Sequence, residues 1–103
     1  MSKFKVRFVE GSSSGTEERH LFMGARGALL VEAANRAEAY IRVFKHLSQS
    51  DNEVTVIPYV EGQATPLGFT EEERAIVRSA GVPIKLGLPK NGFQIEEIVI
   101  DGE

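Results

Sequence analysis

The residues with the greatest capacity for chemistry are cations near the start of the chain. Lys3, Lys5 and Arg7 alternate with Phe4, Val6 and Phe8. A strand turns successive side chains to opposite faces, so the three cations project together from one face while the apolar residues enter the core. If residues 18–23 form the neighbouring strand against residues 4–8, Arg19 and His20 join them. A face built from Lys3, Lys5, Arg7 and Arg19 suits an acidic protein surface, an RNA or a phosphorylated ligand. RNA-reading sheets add exposed aromatic rings that stack on bases. Here Phe4 and Phe8 belong to the opposite face, and only Tyr59 could share the open one. The competing reading is a solvated face whose lysines discourage edge-to-edge aggregation.

Among the carboxylates, Glu71-Glu72-Glu73 and Glu96-Glu97 are consecutive. Acid–base work requires one of a pair to be buried. The first run is explained by the positive end of a helix dipole. The second sits in a strand, where neighbours face opposite ways, so one of the two is expected at a sheet rim or a subunit contact. With His20 nearby, this pair is the candidate for a small enzyme or ligand site.

Other chemistries find no support in the pattern. His20 and His46 are the only histidines and lack ligand spacing, and there is no Cys to supply a thiolate, so no metal is expected. Ser and Thr are plentiful, but no nucleophile, base and orienter are assigned among them, although a triad can converge from anywhere in a chain. The loop Gly11-Ser12-Ser13-Ser14-Gly15 lacks the terminal Gly-Lys-Ser/Thr of a phosphate loop and leads into Glu17 and Glu18, which repel phosphate. The acidic clusters are too short for a calcium loop. No dinucleotide fingerprint is present, and no cofactor and no catalytic residue are assigned.

The elements that must position these groups fit one domain, since 103 residues are too few for two ordinary ones. The net charge of −3 conceals a division. Residues 1–50 hold eight Lys/Arg and five Asp/Glu, whereas residues 51–103 hold four and ten. The overall balance disfavours non-specific nucleic-acid binding, which depends on neutralising phosphate, but leaves room for a basic face on one side. The N-terminal alternation lacks the apolar stretch of a signal peptide, and no run approaches the ~20 residues of a membrane span. A soluble, cytoplasmic protein is expected.

Along the chain, residues 3–9 read as a strand and residues 11–15 as a flexible hairpin loop. Residues 18–23 read as a second strand, followed by a turn or bulge at Gly24-Ala25-Arg26-Gly27 that would expose Arg26 on a tip. For residues 28–34 two readings compete, because pattern alone does not separate a short strand from a helix. One is a strand ending at Asn35, which caps a helix with Glu38 in a capping-box position. The other is an unbroken helix to Leu47. The strand-then-helix reading is favoured. Residues 36–48 are helical in both, burying Ala37, Tyr40, Ile41, Phe44 and Leu47 and turning Arg36, Glu38, Arg42 and Lys45 to water.

Residues 53–60 read as a strand that is either an edge or ends near Pro58, which cannot donate a ladder hydrogen bond. A capping box at Thr70 and Glu73 opens a second helix, with Ala75, Ile76, Val77 and Ala80 as its apolar surface and Gly81 at its C′ position. Residues 93–100 form the last strand, with an extra strand at 84–88 that could pair to it through the turn Asn91-Gly92. The expected fold is α+β: a mainly antiparallel sheet of four to five strands with two helices packed on one face, in the order β-β-α-β-α-β. That is a split-βαβ relative of ferredoxin-like type.

The stretch Val31-Glu32-Ala33-Ala34-Asn35-Arg36-Ala37-Glu38-Ala39 resembles a strand-cap-helix pattern found in small proteins of phages, plasmids and gene cassettes. Its residues serve packing and capping, so the resemblance implies no chemistry. The expected function is a non-enzymatic protein-interaction module that binds another protein or itself as a homodimer. Nucleic-acid binding through the basic face and a small carboxylate enzyme or ligand-binder are the alternatives.

Overall fold

The computed structural model describes residues 1–14, 21–49 and 51–101. The alternating start of the chain forms β1 (Ser2–Ser14), which pairs antiparallel along its whole length with β2 (Leu21–Ala33), from Ser2 opposite Ala33 to Ser14 opposite Leu21. Helix α1 (Arg36–Leu47), β3 (Glu53–Val56), a single 3-10 turn at Pro66–Gly68, helix α2 (Glu71–Ser79) and β4 (Gly92–Ile100) follow. The sheet order is β2-β1-β4-β3. β1 runs antiparallel to both neighbours and β3 runs parallel to β4. The fold is thus α+β with a mixed four-stranded sheet in the expected element order, and α1 carries the chain from one sheet edge to the other past β1 and β4. No helix among the described residues is long and apolar enough to cross a membrane.

One sheet face carries both helices. Phe4 and Val6 of β1, Val54 and Val56 of β3, and Ile95 and Ile98 of β4 are buried there with Ala37, Tyr40, Val43 and Leu47 of α1 and Val77 of α2. The α1 residues recur at the spacing of a helical stripe, which is why one face of that helix is apolar. Tyr40 is fully buried; its ring meets Phe69 edge-on at 5.7 Å, and its hydroxyl donates to the Pro83 carbonyl at 2.7 Å. That bond lets a phenol occupy the core without an unpaired polar atom.

The helix ends follow local chemistry. Asn35 accepts from the Glu38 amide, as expected of a cap, but the Glu38 carboxylate is held by Arg42, four residues on. At α2 both halves of the capping box form between Thr70 and Glu73. Gly81, at φ +73°, ends that helix: its amide donates to Arg78 and the Val82 amide to Val77. This left-handed C′ position favours glycine, and Val82 packs back onto the core beside Val77.

Several expectations are corrected. Gly11–Ser14 belong to β1, and Gly24-Ala25-Arg26-Gly27 lies inside β2 with continuous pairing to residues 8–11, so neither is a turn. Phe8 explains how Gly27 is accommodated: the tip of its ring lies 2.8 Å from where a Cβ would stand, so the ring occupies the space a side chain would need. Residues 28–33 are strand. β3 stops at Val56, before Pro58, and is an edge strand of the sheet. Segment 84–88 does not pair with β4 through Asn91-Gly92; Leu86 makes a parallel bridge to Val56 of β3. On α2 only Val77 is buried, while Ala75, Ile76 and Ala80 are exposed.

Candidate functional site

The site begins with the sheet face that carries no helix. Alternation along β1 places Lys3, Lys5 and Arg7 on it, opposite the buried Phe4 and Val6. Their β2 neighbours differ from expectation. Residues 4–8 pair with 27–31 and not with 18–23, because the hairpin is longer than the first alternating segment. Lys5 therefore faces Leu30, Arg7 faces Ala28, Lys3 faces Glu32 and Val9 faces Arg26. Arg19 and His20 lie outside the described residues, as do Gly15, Glu17 and Glu18. Tyr59 is exposed but lies beyond the end of β3.

Lys5, Arg7, Arg26, Ala28, Glu96 and Glu97 line a shallow groove of about 610 Å³ on this face. Two consecutive glutamates reach it because β4 is bulged. Arg7 pairs with Glu97 and Phe8 with Ile95, leaving Glu96 as the extra residue. The bulge lets Ile95 and Ile98 both point into the core, three residues apart, with the two carboxylates between them on the groove. A regular strand would have driven one glutamate into the core. Glu97 approaches Arg7 at 3.9 Å, both well exposed, so this is a loose contact of little energetic weight. With Glu32 on the same face, the carboxylates offset most of the basic stripe.

The two edges of the sheet are treated differently. Along β3, the Val56 amide donates to Lys85 at 2.7 Å and the Gly87 amide to Val56 at 3.0 Å. Thr55 and Gln94 then both donate to the Gly87 carbonyl, at 2.7 and 2.8 Å. These two polar side chains are buried, and the segment they hold closes that edge and its end of the open face. At the other edge, β2 is paired on one side only among the described residues, with β1. Its residues 24–33 contain no Pro and no Lys, and their only charges are Arg26 and Glu32. Leu30 is 61% exposed there.

The charged group that sequence reasoning misplaced is Arg36. Expected in water, it is largely buried between α1 and α2. Its Nε and Nη2 bond the two Glu73 oxygens at 3.1 and 2.8 Å, and Nη1 and Nη2 donate to the Leu67 and Gly68 carbonyls at 3.2 and 2.6 Å. The guanidinium also lies 5.7 Å from the Phe69 ring centre. Burial works to raise the Glu73 carboxyl, but bonds from Arg36 and from the Thr70 amide outweigh it and hold the group below the usual carboxylate range. The available signal was spacing: Arg36 heads the stripe Arg36, Tyr40, Val43, Leu47. This cluster is a brace; all its polar groups are taken up within the fold.

Among the described residues, no buried side-chain nitrogen or oxygen lacks a hydrogen-bond partner. The groove is a place where charged side chains of both signs converge while still open to a partner. Comparison of the chain with protein-family models, curated proteins and solved structures finds no match.

Proposed function

We propose that the protein is a non-enzymatic interaction module, cytoplasmic in setting, which binds a protein partner through the β2 edge and the open face beside it. The observation that carries this reading is the contrast between the two sheet edges: β3 is bridged to segment 85–87 at Val56, while β2 presents a long unpaired strand with exposed Leu30. An unpaired edge offers main-chain donors and acceptors to an added strand, and the side chains beside it select the partner. On this surface Lys3, Lys5, Arg7 and Arg26 are interleaved with Glu32, Glu96 and Glu97, a mixture suited to protein recognition. The strand-cap-helix pattern is the feature that supports an origin on a phage, plasmid or gene cassette, and it bears no part of the binding argument.

The test replaces Ala28 and Leu30 with Glu. In the hairpin these positions face Arg7 and Lys5, so the new charges are compatible with the fold while the edge becomes acidic. Tagged wild type and variant are compared for the proteins they retain, their own untagged copies included, with circular dichroism to verify folding. Loss of the retained set by the folded variant supports the reading; an unchanged set overturns it.

Nucleic-acid binding is the second reading, resting on the stripe of Lys3, Lys5 and Arg7 beside Arg26. It predicts retention on a polyanion column that falls steeply with salt and is abolished by Lys5→Glu with Arg7→Glu. The carboxylates on the same face weigh against it.

A further inference from the structure

We infer that the partner of the β2 edge is a second copy of this chain, paired antiparallel about a two-fold axis at Leu29, so that Arg26 of each copy meets Glu32 of the other. This rests on the interaction reading and specifies its occupant. Arg26, Ala28, Leu30 and Glu32 occupy alternate positions of β2, share the open face and are exposed. Leu29 and Val31 lie on the helix face, where they are only partly buried.

A two-fold axis perpendicular to the sheet keeps each side chain on its own face. It therefore pairs residues of equal parity, and the centre of symmetry sets every contact. Centred on Ala28, Arg26 meets Leu30 and Glu32 meets Gly24. Centred on Leu30, Arg26 meets Ala34 and Glu32 meets Ala28. Centred on Leu29, each Arg26 meets a Glu32, each Leu30 covers an Ala28, and the two Leu29 residues meet on the helix face. Of these three registers, only the last matches opposite charges, and it does so twice while covering Leu30. Directly opposed charges of unlike sign stabilise an antiparallel pair and like charges destabilise it.

Both charges are available for the purpose. Among the described residues, neither Arg26 nor Glu32 takes part in an ion pair or a side-chain hydrogen bond. The register from Ala25 to Ala33 gives nine residues per copy for main-chain pairing, more than an average strand. The product is a continuous eight-stranded sheet with both helical layers on one side. Its outer edges are the two β3 strands, which segment 85–87 already closes. Pairing through β2 thus takes up the long unpaired edge, and the outer β3 edge is four residues long and bridged to Leu86 at Val56, so the assembly is expected to stop at two.

The experiment is sedimentation velocity on the full chain from about 1 to 200 µM, with wild type, Arg26→Glu, Glu32→Arg and the double exchange. Wild type is expected to dimerise. Each single variant opposes like charges twice and should dissociate at least about tenfold more readily. The double exchange restores both pairs and should dimerise as wild type does. Mixing the two single variants should give a heterodimer. The glutamate introduced in one copy then meets the arginine introduced in the other at one end, and the native pair forms at the other end. A wild type that stays monomeric throughout overturns self-pairing and leaves the retention experiment to judge the interaction reading. A dimer indifferent to both single exchanges overturns this register.

Discussion

Replacing Arg36 with Ala removes a side chain that joins α1, the 3-10 turn and α2. Four hydrogen bonds are lost, two to Glu73 and two to the carbonyls of Leu67 and Gly68. The Glu73 side chain is only 15% exposed and that of Arg36 27%, so water can compensate only part of the loss. Hydrogen bonds involving a charged group contribute about 1.5–3 kcal/mol each when isolated, and breaking a buried pair costs about 3–5 kcal/mol in total. Partial exposure places this pair at the lower end, so the expected loss is about 3 kcal/mol. For a domain of this length, that corresponds to a fall in Tm of roughly 10–25 °C. Arg42→Ala is the internal control: it breaks the same kind of contact, to Glu38, but in water, and should cost no more than about 0.5 kcal/mol.

The pair also has an acid signature. Glu73 titrates below its ordinary value in the folded protein. Its contribution is thus fully present above the unfolded carboxyl pKa of about 4.3 and disappears as the pH falls through the depressed folded value. The gap in stability between wild type and Arg36→Ala should therefore narrow on acidification below about pH 4. Urea unfolding followed by circular dichroism, at neutral pH and in acid, measures both effects. Equal costs for Arg36→Ala and Arg42→Ala at neutral pH would refute the reasoning.

Two further substitutions probe single contacts. Tyr40→Phe leaves the Pro83 carbonyl without its donor while keeping the ring against Phe69; urea unfolding should register a loss of about 1–2 kcal/mol, and an unchanged midpoint would remove this bond from the account of the core. Gly81→Ala places a side chain at φ +73° in open space, since nothing lies within 4 Å of the added Cβ. Its cost is purely conformational, about 1–2 kcal/mol, and a neutral thermal shift would contradict the left-handed cap.

Local rules account for much of what the chain shows by itself. The alternation in Lys3–Phe8, the capping box at Thr70 and Glu73, the Gly81 terminator and the limit set by Pro58 act over a few residues, so they are legible in order. They settle the succession of strands and helices, and they place Lys3, Lys5 and Arg7 on one face. Four features belong to tertiary structure alone. The hairpin pairs Gly27 with Phe8 across the ladder, with the ring over the glycine, so an apparent glycine turn is strand and the neighbours of the basic stripe are exchanged. The bulge at Glu96 appears only when β4 is set against β1, and it is what turns Glu96 to the same face as Glu97, which the regular ladder already sets opposite Arg7. Arg36 meets Glu73 across 37 positions of chain, and segment 85–87 closes β3 while β2 stays open. Each of these is a pairing between distant segments, whose energy is settled by which surfaces the core brings together and not by the residues beside them in the chain.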